Sequence, residues 1–101
     1  MTVNKIRFST DAESDVNQSY LWYEAQVEGL GDKFLDSLEN TLKIIGQDPK
    51  IFQFRYKKKV RGALLERFPF LILYIVNKNN VDVISVFNTN QNPEKWKNRL
   101  K

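Results

Sequence analysis

Apolar and polar positions change their period along the 101-residue chain. Residues 3–8 alternate, with Val3, Lys5 and Arg7 set against Asn4, Ile6 and Phe8, and predict a first strand. Ser9-Thr10-Asp11 supplies a helix N-cap, and acids in the first turn complement the helix dipole. Ala12, Val16, Tyr20, Tyr23 and Val27 follow at spacings of three and four, which makes one helical stripe. Gly29 and Gly31 bracket Leu30 and are expected to break that helix. A second stripe, Phe34, Leu35, Leu38, Leu42 and Ile45, runs until Gly46 and Pro49 stop it. Two helices joined by a short glycine link predict an antiparallel hairpin.

After Pro49 the period shortens. Ile51, Phe52 and Phe54 lead a strand that ends near Tyr56, and Lys57-Lys58-Lys59 follows as a charged turn or strand edge. Val60 to Phe68 reads as a further strand. Phe70 to Val76 is apolar on both faces, which marks the central strand. Asn77-Lys78-Asn79-Asn80 is a turn, and Val81 to Phe87 is the last strand, hairpinned to the central one. Pro93 opens a short final helix, Glu94 to Leu100. The architecture expected is α+β and two-layered, in the order β-α-α-β-β-β-α. An N-terminal strand precedes a helical hairpin packed on a mainly antiparallel four-stranded sheet, with a short C-terminal helix.

Composition narrows the chemistry. The chain has neither cysteine nor histidine. That excludes disulfides, thiolate nucleophiles, Ser-His-Asp catalysis and nearly every structural zinc pattern, so no metal or cofactor is expected. The length argues for one domain over residues 1–101, since two would have about 50 residues each, too few for independent cores. No apolar run is long enough to span a membrane, and Met1 to Arg7 carries no signal-peptide core. A cytoplasmic protein is the expectation.

Charge is divided unevenly. Residues 1–49 carry four basic and nine acidic side chains, net −5, whereas residues 50–101 carry twelve basic and three acidic, net +9. The whole-chain value of +4 hides this split. It points to a face for a polyanion or an acidic partner, the alternative being a mixed surface whose charges interleave in space.

Several segments, in order, carry a resemblance. They are Ser9-Thr10-Asp11-Ala12, Trp22-Tyr23-Glu24, Gly29-Leu30-Gly31-Asp32-Lys33-Phe34 and Asp48-Pro49. Then come Val60-Arg61, Leu65-Glu66-Arg67-Phe68-Pro69-Phe70, Ile72-Leu73-Tyr74, Val86-Phe87, Asn92-Pro93, Trp96 and Arg99. Over essentially its whole length the chain resembles the RelE/ParE superfamily of bacterial type II toxins, and the ParE-like branch more than the ribonuclease branch. The resemblance implies a plasmid-stabilisation-type toxin neutralised by a cognate antitoxin protein. Operator DNA would be reached only through that antitoxin. The target implied is DNA gyrase or, for the ribonuclease branch, mRNA on the ribosome. An inactive toxin-like co-repressor is a third reading.

The residues bear on that choice. Cleavage by a 2′-hydroxyl needs a base, a cation for the pentavalent phosphate and an acid for the leaving oxygen. The central strand is apolar here, where nuclease relatives tend to carry a polar or basic group. Asn88 stands where many of them have histidine, and the chain ends without a tyrosine. An amide does not titrate near neutral pH, so Asn88 orients but does not transfer a proton. Enzymatic activity is therefore not the leading expectation. If present it is that of an endoribonuclease, an mRNA interferase, with Arg61, Arg67 and Glu66 as the weak catalytic candidates.

The candidate binding residues are Lys57, Lys58, Lys59, Arg61, Arg67, Asn88, Lys95, Trp96 and Arg99. Each has a structural alternative. Arg61 binds phosphate or carboxylates, or caps the hairpin through Glu24 or Asp48. Arg67 is expected to alternate with Leu65 in its strand. The lysine run is a solvated turn or an edge that blocks strand pairing. Trp96 anchors the last helix on the sheet or joins a contact patch, and Asn88 begins a polar turn. Tyr20, Trp22 and Tyr23 are expected in the hairpin core. An apolar groove or open strand edge is expected for the antitoxin.

Overall fold

The computed structural model describes residues 4–100; Val3, read as the start of the first strand, and Lys101 lie outside the described residues. The elements are β1 (Lys5–Phe8), α1 (Thr10–Gln26), α2 (Leu30–Gln47), β2 (Phe54–Tyr56), β3 (Val60–Leu64), β4 (Phe70–Asn77), β5 (Asn80–Asn88) and α3 (Glu94–Lys97), with a 3-10 turn over Asn98–Leu100.

The sheet has five strands in the order β1-β5-β4-β3-β2, one more than expected. The count of four left out one of the five strands read along the chain; the segment ending at Tyr56 is paired, with Phe54 opposite Arg61 and Tyr56 opposite Val60, but spans only Phe54–Tyr56 and does not begin at Ile51. β1 lies parallel to β5, and the other pairs are antiparallel. β3 stops at Leu64 instead of reaching Phe68. Arg67 takes a positive φ of 69°, which no strand residue adopts, and Leu65 N–H closes the turn onto the Phe70 carbonyl at 2.9 Å. Arg67 therefore does not alternate with Leu65 in a strand.

The hairpin packs on one face. Ala12, Phe34, Leu38 and Ile45 meet Phe70, Ile72, Tyr74, Val81, Val83 and Val86 in one buried cluster. Ser9 caps α1 by accepting from Ala12 N–H at 3.0 Å, as its position before the first apolar residue predicts. Val27, assigned to the α1 stripe, lies past the helix as its C-cap and is exposed. On the opposite face α3 covers part of the sheet, and Trp96 packs with Val60, Leu73 and Phe87.

The link between the helices differs from its sequence reading. Only Gly29 breaks the chain, at φ +87°; α2 begins at Leu30, so Gly31 lies within it. Glu24 caps the new helix. Its two carboxylate oxygens accept from Gly29 and Gly31 N–H, each at 2.9 Å. Gly46 lies inside α2 too, because the helix continues to Gln47. Tyr23 joins the core beside Phe34, Phe68 and Phe70, but Trp22 does not: it is 60% exposed, stacked edge-on against Tyr23. A one-residue step along a helix turns a side chain by about 100°, and that step carries Trp22 off the buried face.

Candidate functional site

A groove of about 720 Å³ runs between α2 and the turn that follows β3. Its apolar floor is Leu30, Ile44, Phe52, Leu64 and Phe68, and Lys33, Asp36, Glu66 and Arg67 charge its rim. Two of the floor residues are strongly exposed, Ile44 at 48% and Leu64 at 58%. The turn is held against α2 by Ser37, whose hydroxyl donates to the Glu66 carbonyl at 2.8 Å. β2 pairs with β3 only through residues 60–61, and Gly62 N–H reaches the Gln53 carbonyl; beyond that point β3 runs on to Leu64 along the sheet's open edge. Groove and edge form one continuous surface, the kind expected for a partner strand or helix. Ile44 and Leu64 were absent from the sequence-derived candidates. The signal was there for Ile44, an apolar residue outside the stripe that α2 buries.

The lysine run occupies the exposed β2–β3 turn, and Lys57 takes a positive φ of 50°. Lys57 and Lys97 both approach the Tyr56 ring, with ammonium-to-centroid distances of 5.2 and 5.1 Å. Trp96, 4% exposed, packs edge-on against the same ring at 5.6 Å. Trp96 is thus an anchor whose burial brings α3, with Lys95 exposed beside it, to the lysine turn. Tyr56 and Lys97 were not singled out from sequence, where they are 41 positions apart.

Arg61 is engaged internally. Its Nη1 donates to the Phe52 and Lys50 carbonyls at 2.7 and 3.2 Å, and its guanidinium lies 4.0 Å over the Phe54 ring. It holds the segment after α2, and its side-chain bonds go to neither Glu24 nor Asp48. Tyr74, opposite Arg61 in the β3–β4 register, donates its hydroxyl to the Pro49 carbonyl at 2.7 Å. Burial, with a smaller push from Asp48 and against the pull of Arg61, raises its pKa to about 12.

Arg99 is engaged too. It forms a fork with Asp15 on α1, Nη1 to Oδ2 at 2.7 Å and Nη2 to Oδ1 at 2.9 Å. The pair repairs an irregularity in β5, where Leu73 faces Ser85 but Tyr74 faces Val83, leaving Ile84 as an extra residue. Arg99 donates to the Ile84 carbonyl at 2.9 Å, and Asp15 accepts from Val86 N–H at 3.0 Å. The hydrogen bond it donates to Asp15 holds the Arg99 guanidinium above its ordinary pKa despite burial.

Asn88 accepts from Asn90 N–H at 2.9 Å, an Asx turn. It lines a smaller cleft of about 380 Å³ with Gln18, Trp22, Tyr23 and Gln91. The catalytic candidates do not converge. Arg61 is the second residue of β3, whereas Glu66 and Arg67 lie past its other end in the rim of the groove. Among the described residues there is no cluster of acids able to hold a metal ion and no helix long and apolar enough to cross a membrane.

No family model matches the chain, and no curated protein matches it. Nine chains of known structure do. One, from the chromosomal ParDE TA system of P. aeruginosa, superposes with a TM-score of 0.74 at 18% identity, covering 85% of this chain and 96% of that one. The likeness is one of fold: the α+β arrangement expected from the sequence is shared with a ParDE protein.

Proposed function

We propose that the chain is the toxin of a type II toxin–antitoxin pair, acting by binding a cellular target such as DNA gyrase and neutralised by a cognate antitoxin. The observation that carries this reading is the fold shared with a ParDE chain over 85% of the sequence. The ordered segments of the sequence resemblance agree with it. In this reading the antitoxin covers the α2–β3 groove, laying a segment along the open edge at Leu64 and burying Ile44, Phe52 and Phe68.

A binding mode of action fits the side chains better than cleavage. Arg61 and Arg99 are committed to internal partners, Asn88 makes a turn, and Glu66 and Arg67 stand apart from Arg61. No base, phosphate-binding cation and acid meet at one point among the described residues, and proton transfer requires hydrogen-bond reach. The test is a supercoiling assay with purified chain in molar excess over gyrase, alongside primer extension on mRNA from induced cells. Loss of supercoiling with no new 5′ ends is the expected result. Full gyrase activity together with new 5′ ends would replace this reading with the ribonuclease one.

A further inference from the structure

We infer that the end of the sheet carrying the β2–β3 turn binds the phosphate backbone of duplex DNA without reading its sequence. The register sets this end. Arg61 faces Tyr74, so the lysine turn and the β4–β5 turn bearing Lys78 lie side by side at one end of the sheet. β1 begins there too, with Lys5 opposite Asn80 and its N–H on the Asn79 carbonyl at 3.0 Å. α3 adds Lys97 through the shared Tyr56 ring.

Lys5, Lys57, Lys58, Lys59, Lys78 and Lys97 thus gather at one end. Among the described residues, only Lys97 has an acid within 4 Å, the exposed Glu94 at 3.9 Å. Asp82, the acid of β5 at this end, is taken up by Arg7 at 2.8 Å. Asp48 ends α2 nearby and is the remaining acid.

One observation favours a phosphate backbone over an acidic peptide, and a second favours a duplex over a single strand. First, the α2–β3 groove and the smaller cleft lie elsewhere, and Lys57, Lys58 and Lys59 stand exposed on an open turn. Peptide recognition draws its specificity from such pockets, whereas phosphates are held by cations on an open surface. Second, the aromatic rings near this end already carry cations or are buried, although Phe54 remains 44% exposed. Arg61 lies over one face of Phe54, Trp96 is buried, and Tyr56 is attended by Lys57, Lys97 and Trp96. Stacking is what favours single strands. With stacking surface reduced in this way, the denser charge of a duplex, one phosphate per about 1.7 Å of axis, gives the tighter complex.

The test is fluorescence anisotropy of the whole chain against a labelled duplex of about 20 base pairs, long enough to span several phosphate contacts, and against one of its strands. With about four phosphates neutralised, the log–log salt slope is about −3.6, and affinity falls about 100-fold between about 50 and 200 mM salt. Replacing the turn by Lys57→Asn, Lys58→Gln and Lys59→Gln reduces the slope by more than half; asparagine suits the positive φ at 57, so the fold survives. Lys97→Gln weakens binding several-fold, and Lys43→Gln on the exposed side of α2 changes nothing. Three results would each overturn the inference: no duplex binding at the lower salt, a single strand or polyglutamate bound more tightly than the duplex, or an unchanged slope in the turn variant. The measurement involves neither growth nor an antitoxin, so its failure is distinct from failure of the toxin reading.

Discussion

Gly31 leaves no room for a side chain. A Cβ there would stand 2.8 Å from the Tyr20 ring and 2.9 Å from Glu24 Oε1, the oxygen that caps α2. Gly31→Ala therefore destabilises by about 1–3 kcal/mol, read as a lower denaturant midpoint, even though the helical backbone suits alanine. Gly29→Ala is different: nothing lies within 4 Å, and the cost of about 1–2 kcal/mol comes from φ +87° alone. Tyr74 gives a pH signature. Its folded pKa of about 12 exceeds the unfolded value of 10.0, so the native state keeps the proton that the unfolded chain releases. Its contribution is complete below pH 10 and disappears as pH rises towards 12. Unfolding free energy is expected to fall by about 2–3 kcal/mol across that window. Tyr74→Phe removes this share of the slope and leaves the Pro49 carbonyl unpaired, costing about 1–3 kcal/mol at neutral pH.

At the scale of elements, the last turn of the chain is tied to α1 and β5 by Arg99, which forks onto Asp15 and lies 3.9 Å from Asp11. Arg99→Ala frees Ile84 and Asp15 together, so amide exchange is expected to speed up at residues 84–86 and 94–100 while the hairpin amides stay protected. Uniform acceleration over the whole sheet would contradict a local tie. This pairing explains why Arg99 was legible as important but not for the right partner. A sequence shows that guanidinium and carboxylate exist, and only the fold brings them together from 84 positions apart. Legibility was best where signals are local: the Ser9 cap, the two helical stripes, the alternating and doubly apolar strands. It failed where tertiary geometry decides. Trp22 was assigned to the core with Tyr20 and Tyr23 by helical spacing, yet faces solvent; β3 was drawn through residues 65–68, where Arg67 turns the chain. The strand read from Ile51 to near Tyr56 is shorter than its apolar residues suggested, pairing only over Phe54–Tyr56, and the four-strand count did not include all five.

For the whole molecule, the excess of cations in residues 50–101 divides. The lysine turn, Lys78 and Lys97 share one end of the sheet, whereas Arg67 edges the groove and Arg99 is consumed by Asp15. Groove and basic end are separate surfaces, so a partner is able to cover the first without neutralising the second. Ile44→Asp with Leu64→Asp replaces two exposed floor residues, and is expected to abolish capture of the antitoxin while leaving the denaturant midpoint nearly unchanged. The central claim, a toxin restrained by a partner on that groove, is met most directly by growth after induction. The chain is expressed alone and then together with the product of the adjacent reading frame. Growth is expected to stop with the chain alone and to resume when the two are made together, the pair co-purifying. Unimpeded growth with the chain alone, and no co-purification, would contradict the account.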